Sequence, residues 1–302
     1  MRNPIVFVLA ALLFALLFTS TIVAQEATPE ATPTAVAGEV GDEVAALIAE
    51  GQAKLQEKNF EGALEIFKRI VELDPANASV FDLIGEAYIG LEKYQSAVHA
   101  LDHAIDLNPD YALYYKYRAD AYFSLHLYQL SLDDYTRSIE LDSTILANYF
   151  GRAIIYDLQG EYALAIADYD QVIEQLPEAG WVYSIRASVY TRLGDYQAAV
   201  EDYNQAIRLD SSIFLDYYQR GRTYAALGNF DAAIADFTQV LLMRPDFVEV
   251  YAWRGVAYWK NGVNDQINAR NDLCYYAIAA GDDANSTVLN LIEQQGWDCF
   301  VA

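Results

Sequence analysis

Cysteine, histidine and basic side chains are scarce in this chain, and each scarcity closes off a kind of chemistry. The two cysteines, Cys274 and Cys299, are too far apart for a CxxC redox pair, and neither lies near the N-terminus to carry a lipid. Of the three histidines, His99 and His103 stand four apart on a helical pattern and could clasp a metal from one face. No glutamate follows His99 as an HExxH site requires, and no third ligand is specified, so no metal is implied. Only 19 Lys and Arg oppose 43 Asp and Glu, a formal charge of −24. Such a surface repels phosphate backbones and anionic headgroups, which excludes nucleic acid and acidic membranes as partners. A basic peptide, a neutral partner or a polyvalent cation is easier to accept. There is no nucleophile with a base, no Gly-rich phosphate loop and no EF-hand loop. Adjacent carboxylates such as Asp133 and Asp134 do not face each other on a helix. The chain is therefore expected not to be an enzyme and to carry no cofactor.

What is abundant is apolar and aromatic. Hydrophobic residues make up 54%, ample for a core, and the 24 tyrosines need a structural account. At the start, MRNPIVFVLAALLFALLFTSTIVAQ has a basic end, an apolar run over 5–18 and small residues up to Ala24. This is the layout of a signal peptide over residues 1–24; the alternative is an uncleaved N-terminal anchor, since 20 residues are just enough to span a bilayer. Either way the body of the chain is expected to work outside the cytoplasm, secreted or tethered. Residues 25–43 are rich in Ala, Thr, Pro and Glu, contain no aromatic, and read as a disordered linker.

From residue 44 onward the sequence repeats. Gly51, Gly85, Ala119, Ala153, Ala187, Gly221 and Gly255 are each 34 residues apart. Numbering that small residue 8 places Tyr115, Tyr149, Tyr183, Tyr217 and Tyr251 at position 4, and Tyr88, Tyr122, Tyr156, Tyr190, Tyr224 and Tyr258 at position 11. Ala or Ser recurs at 20, a large ring or Leu at 24, and Pro or Ser at 32. Positions 4, 8 and 11 share one helical face and 20, 24 and 27 another. Small residues at 8 and 20 let two helices approach, and the rings fill the space around them. A turn at 15–16 separates the helices, marked by Gly160, Gly194, Gly228 and Gly262. One such hairpin cannot bury both faces; a stack of them can.

These residues resemble the tetratricopeptide repeat, TPR, over about residues 44–281. The resemblance implies an all-α, right-handed superhelix, an α-solenoid of about seven helix-turn-helix repeats. It also implies a capping helix within 282–302, where 284–296 is amphipathic. The first repeat departs from the pattern, with Lys54 at position 11. The second helix of the seventh fits best when shifted by two, so that Ala269, Leu273 and Tyr276 take positions 20, 24 and 27. In an exported protein Cys274 and Cys299 are expected to pair, stapling the cap to the last repeat; the alternative is two buried thiols.

The family's usual role is to hold a protein or peptide in a concave groove. Mapped onto this chain, its groove positions supply Lys116, Phe150, Ile154, Trp181, Leu215, Tyr218, Arg222 and Trp259. The carboxylate-clamp kind of groove needs Lys or Asn where this chain has Ile48 and Gln52, and Arg where it has Asp120, so it is not supported. A carrier of a non-protein ligand such as a cell-wall glycan is the alternative, since groove rings also suit sugar stacking.

One row breaks the apolar stripe. Position 7 is Arg118, Arg152, Arg186, Arg220 and Arg254, and position 23 is Asp134, Asp168, Asp202 and Asp236, with Asp272 in the shifted frame. Repeats one and two lack both residues. Pairing within a repeat leaves no arginine orphaned, whereas pairing with the previous repeat would set Arg118 against Ala100. The expectation is an Arg–Asp strut between the two helices of each repeat. The alternative is a row of arginines presented to an anionic ligand.

Overall fold

The computed structural model describes residues 39–262 and 265–299. The segment 1–24 and most of the linker fall outside them. All described elements are helical: α1 Glu39–Gln56, α2 Phe60–Leu73, α3 Ala78–Gly90, α4 Tyr94–Leu107, α5 Ala112–Ser124, α6 Tyr128–Leu141, α7 Leu146–Gln159, α8 Tyr162–Gln175, α9 Gly180–Leu193, α10 Tyr196–Leu209, α11 Phe214–Ala226, α12 Phe230–Met243, α13 Val248–Asn261, α14 Gln266–Ala280 and α15 Ser286–Gln294. Two compact units result, one ending at Ile155 and the other beginning at Tyr156. Within each, helices pack in consecutive pairs: α1 with α2, α3 with α4, α5 with α6, then α9 with α10, α11 with α12 and α13 with α14. Helix α1 begins at Glu39, inside the stretch expected to be linker up to residue 43. Asp42 and Glu43 lie in its first turns, where the helix dipole favours anions, and Glu43 accepts a bond from Arg69 on α2.

The pairs close where the repeat pattern puts its small residues. A Cβ on Gly221 would stand 2.9 Å from the Phe237 ring, and one on Gly255 would stand 2.7 Å from Leu273. Glycine at position 8 goes with Phe or Leu at 24 in repeats one, two, six and seven, whereas alanine goes with Tyr in repeats three to five. In the third repeat that tyrosine, Tyr135, is buried, and its hydroxyl donates to Asp120 Oδ1 at 2.6 Å. Ser131 replaces the alanine of position 20, and its hydroxyl is satisfied by the Ala119 carbonyl at 2.8 Å.

All seven turns place a residue of positive φ at position 15. Gly194, at 90°, suits it; Lys58, Glu92 and His126, at 59°, 58° and 60°, adopt it in the first three repeats.

The arginine row is half-buried, and the aspartates of position 23 are buried. Arg220 Nε and Nη2 donate to the two oxygens of Asp236 at 2.8 and 2.6 Å. Arg118 does the same to Asp134 at 2.7 and 2.8 Å, and Arg186 to Asp202 at 2.7 Å through each nitrogen. Arg254 and Asp272 repeat it at 2.7 and 2.9 Å. Arg152 lies in the first unit and Asp168 in the second; within its own unit Arg152 donates to Thr136 Oγ1 at 3.1 Å. The guanidinium groups of Arg118, Arg186, Arg220 and Arg254 each lie between two tyrosine rings, as Arg220 does at 5.5 Å from Tyr217 and 5.8 Å from Tyr224. Burial pushes the Asp236 carboxyl up, and the Arg220 fork pulls it down.

A third acceptor was not expected. Nη1 of each arginine reaches back to position 25 of the preceding repeat: Arg118 to Asp102 at 2.6 Å, Arg186 to Asp170, Arg220 to Asn204 at 2.6 Å, and Arg254 to Thr238 at 3.2 Å. Pairing is therefore not confined to one repeat. One side chain fastens its own helix to the next helix and to the one before.

At the C-terminal end Cys274 is bonded to Cys299, with the Cα atoms 4.9 Å apart. Helix α15 is shorter than the amphipathic stretch 284–296. Its Val288 and Ile292 cover Leu273 and Tyr276, and Tyr276 Oη accepts from the Asn285 backbone at 2.8 Å.

Two outcomes follow from these buried charges. Arg220→Leu alone leaves Asp236 buried without a cation and should cost about 3–5 kcal/mol in denaturant unfolding, whereas Arg220→Leu with Asp236→Leu should recover much of it. Equal loss in both variants would rule out the strut. Asp216, on α11, is 6% exposed, and burial pushes its carboxyl up to about 6, with Asp210 adding to the rise and Ser184 and Arg220 opposing it. The folded state thus holds this proton more tightly than the unfolded chain, so Asp216 destabilises as pH rises from 3.8 through about 6. Asp216→Asn should be the more stable protein by about 2 kcal/mol at neutral pH, with the gap closing below about pH 4. A gap independent of pH would show that the buried charge is not its source.

Candidate functional site

The residues mapped to a groove sit on first helices, and the structure sorts them by burial. Phe150 is 1% exposed and Tyr218 is 6% exposed. Both belong to the core and offer no open face, which corrects their assignment as partner contacts. The physical reason lies in position 5, which points along the seam between successive first helices. Tyr218 packs on Phe247 at 5.2 Å between ring centroids, and its hydroxyl donates to Glu249 of the next repeat at 3.1 Å. Burial, and secondarily the nearby Glu249, holds that phenol protonated well above its ordinary range.

In the first unit Lys116 is mostly covered. Its Nζ lies 3.3 Å from Asp120 Oδ2 and 4.3 Å from the Tyr117 ring, and Asp120 also takes the Tyr135 hydroxyl. This cation is engaged internally. Ile154, on α7, is half-buried.

The second unit keeps more surface. Leu215 is 38% exposed, and Trp181, Trp253 and Trp259 are half-buried on α9, α13 and α13. Lys260 Nζ stands 4.6 Å from the Trp259 ring. Arg192, at the end of α9, donates to Asp157 Oδ2 at 2.6 Å and to Ser188 Oγ at 3.4 Å. Burial raises the Asp157 carboxyl and Arg192 opposes the shift. Below these groups lies Tyr203, 2% exposed and also held protonated, by burial first and then by Asp216.

Arg222, one turn along α11 from Tyr218, differs from every arginine of the strut row. Its guanidinium lies 4.9 Å from the Trp253 ring and 5.5 Å from the Tyr218 ring. Nη1 donates to the neutral Gln219 Oε1 at 3.1 Å, and Nε is buried without an acceptor. Trp253 is the residue that the sequence mapping missed. Its position 6 is not among the family's usual groove positions; the signal available was a Trp one step off the packing stripe.

A separate cavity of about 790 Å³ lies beside the cap, lined by Ile278, Leu289, Ile292 and Trp297 with Asp282 and Glu293 at its edge. Among the described residues no three His, Cys, Asp or Glu side chains gather as a metal site requires, and no helix is long and apolar enough to cross a membrane. His103 rests on the Phe81 ring at 5.4 Å.

Several solved structures share this fold. The C-terminal part of a TPR repeat-containing protein from Cytophaga hutchinsonii superposes with a TM-score of 0.68 at 16% identity, over 80% of this chain and 98% of that one. YrrB, described as a TPR protein with an unusual peptide-binding site, gives 0.57 at 21% identity, over 65% and 99%. PilW, described as a type IV pilus biogenesis factor, gives 0.57 at 17%, over 71% and 98%. At these identities the likeness is one of fold. No curated protein sequence matches the chain. Family profiles for the TPR repeat match residues 187–228 and 221–262, and profiles for the tetratricopeptide repeat match 54–121 and 147–179. With more than half of its length matched by profiles of one repeat, this chain belongs to the tetratricopeptide repeat family.

Proposed function

We propose that this protein is an exported or membrane-tethered scaffold that holds a peptide or protein segment along the first helices of its repeats. One observation carries this reading. The first helices of the second unit bring Trp181, Leu215, Trp253 and Trp259 to partial exposure, with Trp253 resting on the repeat core. Half-buried aromatic side chains of this kind are the usual anchors of protein interfaces. The fold shared with YrrB, a protein described as having a peptide-binding site, supports the same reading. Export rests on the layout of residues 1–24, and the acidic surface keeps nucleic acid away.

A second reading, a carrier of a non-protein ligand, has the cavity beside α15 in its favour, because its volume and mostly apolar lining suit a small molecule. The two separate by variant. Replacing Trp181 and Trp259 together by Ala should abolish capture of a protein partner from the extracellular fraction and leave the melting temperature within a few degrees. If Leu289→Asp, in the cavity, removes the bound species instead, the scaffold reading fails. The mass of the protein recovered from culture medium tests export, with loss of residues 1–24 as the expected outcome.

A further inference from the structure

The chain has 43 carboxylates for 19 cations, so an arginine without a carboxylate needs a physical reason. Arg118, Arg186, Arg220 and Arg254 each hold one in a two-bonded fork, and Arg192 holds Asp157. Arg222 is half-buried, has no ion-pair partner among the described residues, and leaves Nε buried without an acceptor. Covering a guanidinium in this way costs free energy unless an acceptor completes it. The rings of Tyr218 and Trp253 compensate the charge only in part, since they attract a cation without accepting its N–H bonds in the guanidinium plane. Glu249 accepts bonds from Tyr218 and Trp253 and forms no ion pair with Arg222. What Arg222 lacks is one carboxylate counter-charge; its half-buried guanidinium lies over the buried Tyr218 ring and beside the half-buried Trp253 ring.

We infer that Arg222 is the anchor for a carboxylate, an Asp or Glu side chain of the bound segment, which docks beside the half-buried Trp253 and supplies the missing counter-charge at the Nη edge of the guanidinium, with Tyr218 remaining buried beneath it. This rests on the scaffold reading and names the chemistry that reading needs in the partner: an apolar segment carrying an acidic residue. The neutral bond to Gln219 is the one that entry of the ligand would exchange or share. Contacts of Trp253 with the segment's apolar neighbours would then supply the rest of the affinity.

The test uses the purified protein labelled with 15N, following the Arg222 Nε–H signal, which is assigned by its loss in Arg222→Lys. Titration with sodium acetate is compared with sodium chloride at matched ionic strength. Two blocked peptides follow, acetyl-Leu-Ala-Phe-Glu-Phe-Ala-Leu-amide and the same peptide with Gln for Glu. The expected results are a saturable shift of the Arg222 signal with acetate and not with chloride, and about tenfold tighter binding of the Glu peptide. That preference should vanish in Arg222→Gln, which should melt no lower than the parent because it removes a cation that lacks a counter-charge. An acetate response identical to chloride, or a Glu preference that survives Arg222→Gln, would overturn the inference. If acetate shifts Arg222 but neither peptide binds, the anion site stands and the scaffold reading is what fails.

Discussion

A guanidinium closed between two tyrosine faces cannot be left without a carboxylate, and most of this structure is arranged around that constraint. The stem of an arginine at position 7 lies on the stripe that buries its repeat, and the rings at positions 4 and 11 cover it from both sides. The aspartate at position 23 of the facing helix is then obligatory, and the fork it forms admits only one register between the helices. Burying such a pair adds little net stability, because desolvation offsets the attraction. Its effect is on specificity: a slip along either helix would strand two charges in an apolar seam. The tyrosines that dominate the composition are the walls of this arrangement.

The third bond of each arginine extends the constraint along the chain. Position 25 carries Asp102, Thr136, Asp170, Asn204 and Thr238, different residues that share one property, a side-chain oxygen. In the first repeat the same position is Lys68, and the second repeat correspondingly has Ile84 in place of the arginine. A repeat protein is held by its own hairpins and by the interfaces between neighbours. Here one side chain serves both, so repeats three, five, six and seven are each fastened to their predecessor by the group that fastens them internally. The first two repeats lack this fork; Phe67, Ile70 and Val80 stand at the centre of their core, and Arg69 of α2 pairs with Glu43 of α1.

The spacing of small residues made the repeat, the helix pairs and the turns legible, since period and face are properties of sequence order. The Arg–Asp pairs were legible for a different reason: both residue types switch on together at the third repeat. The bond to position 25 was hidden because its acceptors vary in type, and a pattern that looks for one residue cannot see a shared oxygen. Burial of Phe150 and Tyr218 was hidden as well. Whether position 5 faces outward or into the seam depends on what the next first helix brings, here Phe247 and Glu249 around Tyr218. The start of α1 was misread because Ala, Glu and Gly without aromatics look like linker, although a short acidic stretch is also a good helix beginning.

Arg220 and Arg222 show how little separates support from a site. They are two residues apart on α11, point to different faces, and carry the same group. One is satisfied three times over and the other lacks a counter-charge. The difference lies in the surroundings. Position 7 looks into a hairpin whose partner helix supplies the acid; position 9 looks along the first helices, where neighbouring repeats supply rings and a glutamate turned toward them. A protein with so many acids could easily have placed one within reach of Arg222. Beyond a Debye length of about 10 Å the negative field of the whole chain is screened, and what a ligand meets at contact is the local group. The overall charge thus governs which molecules approach, while a single uncompensated arginine governs which side chain of an approaching segment can stay.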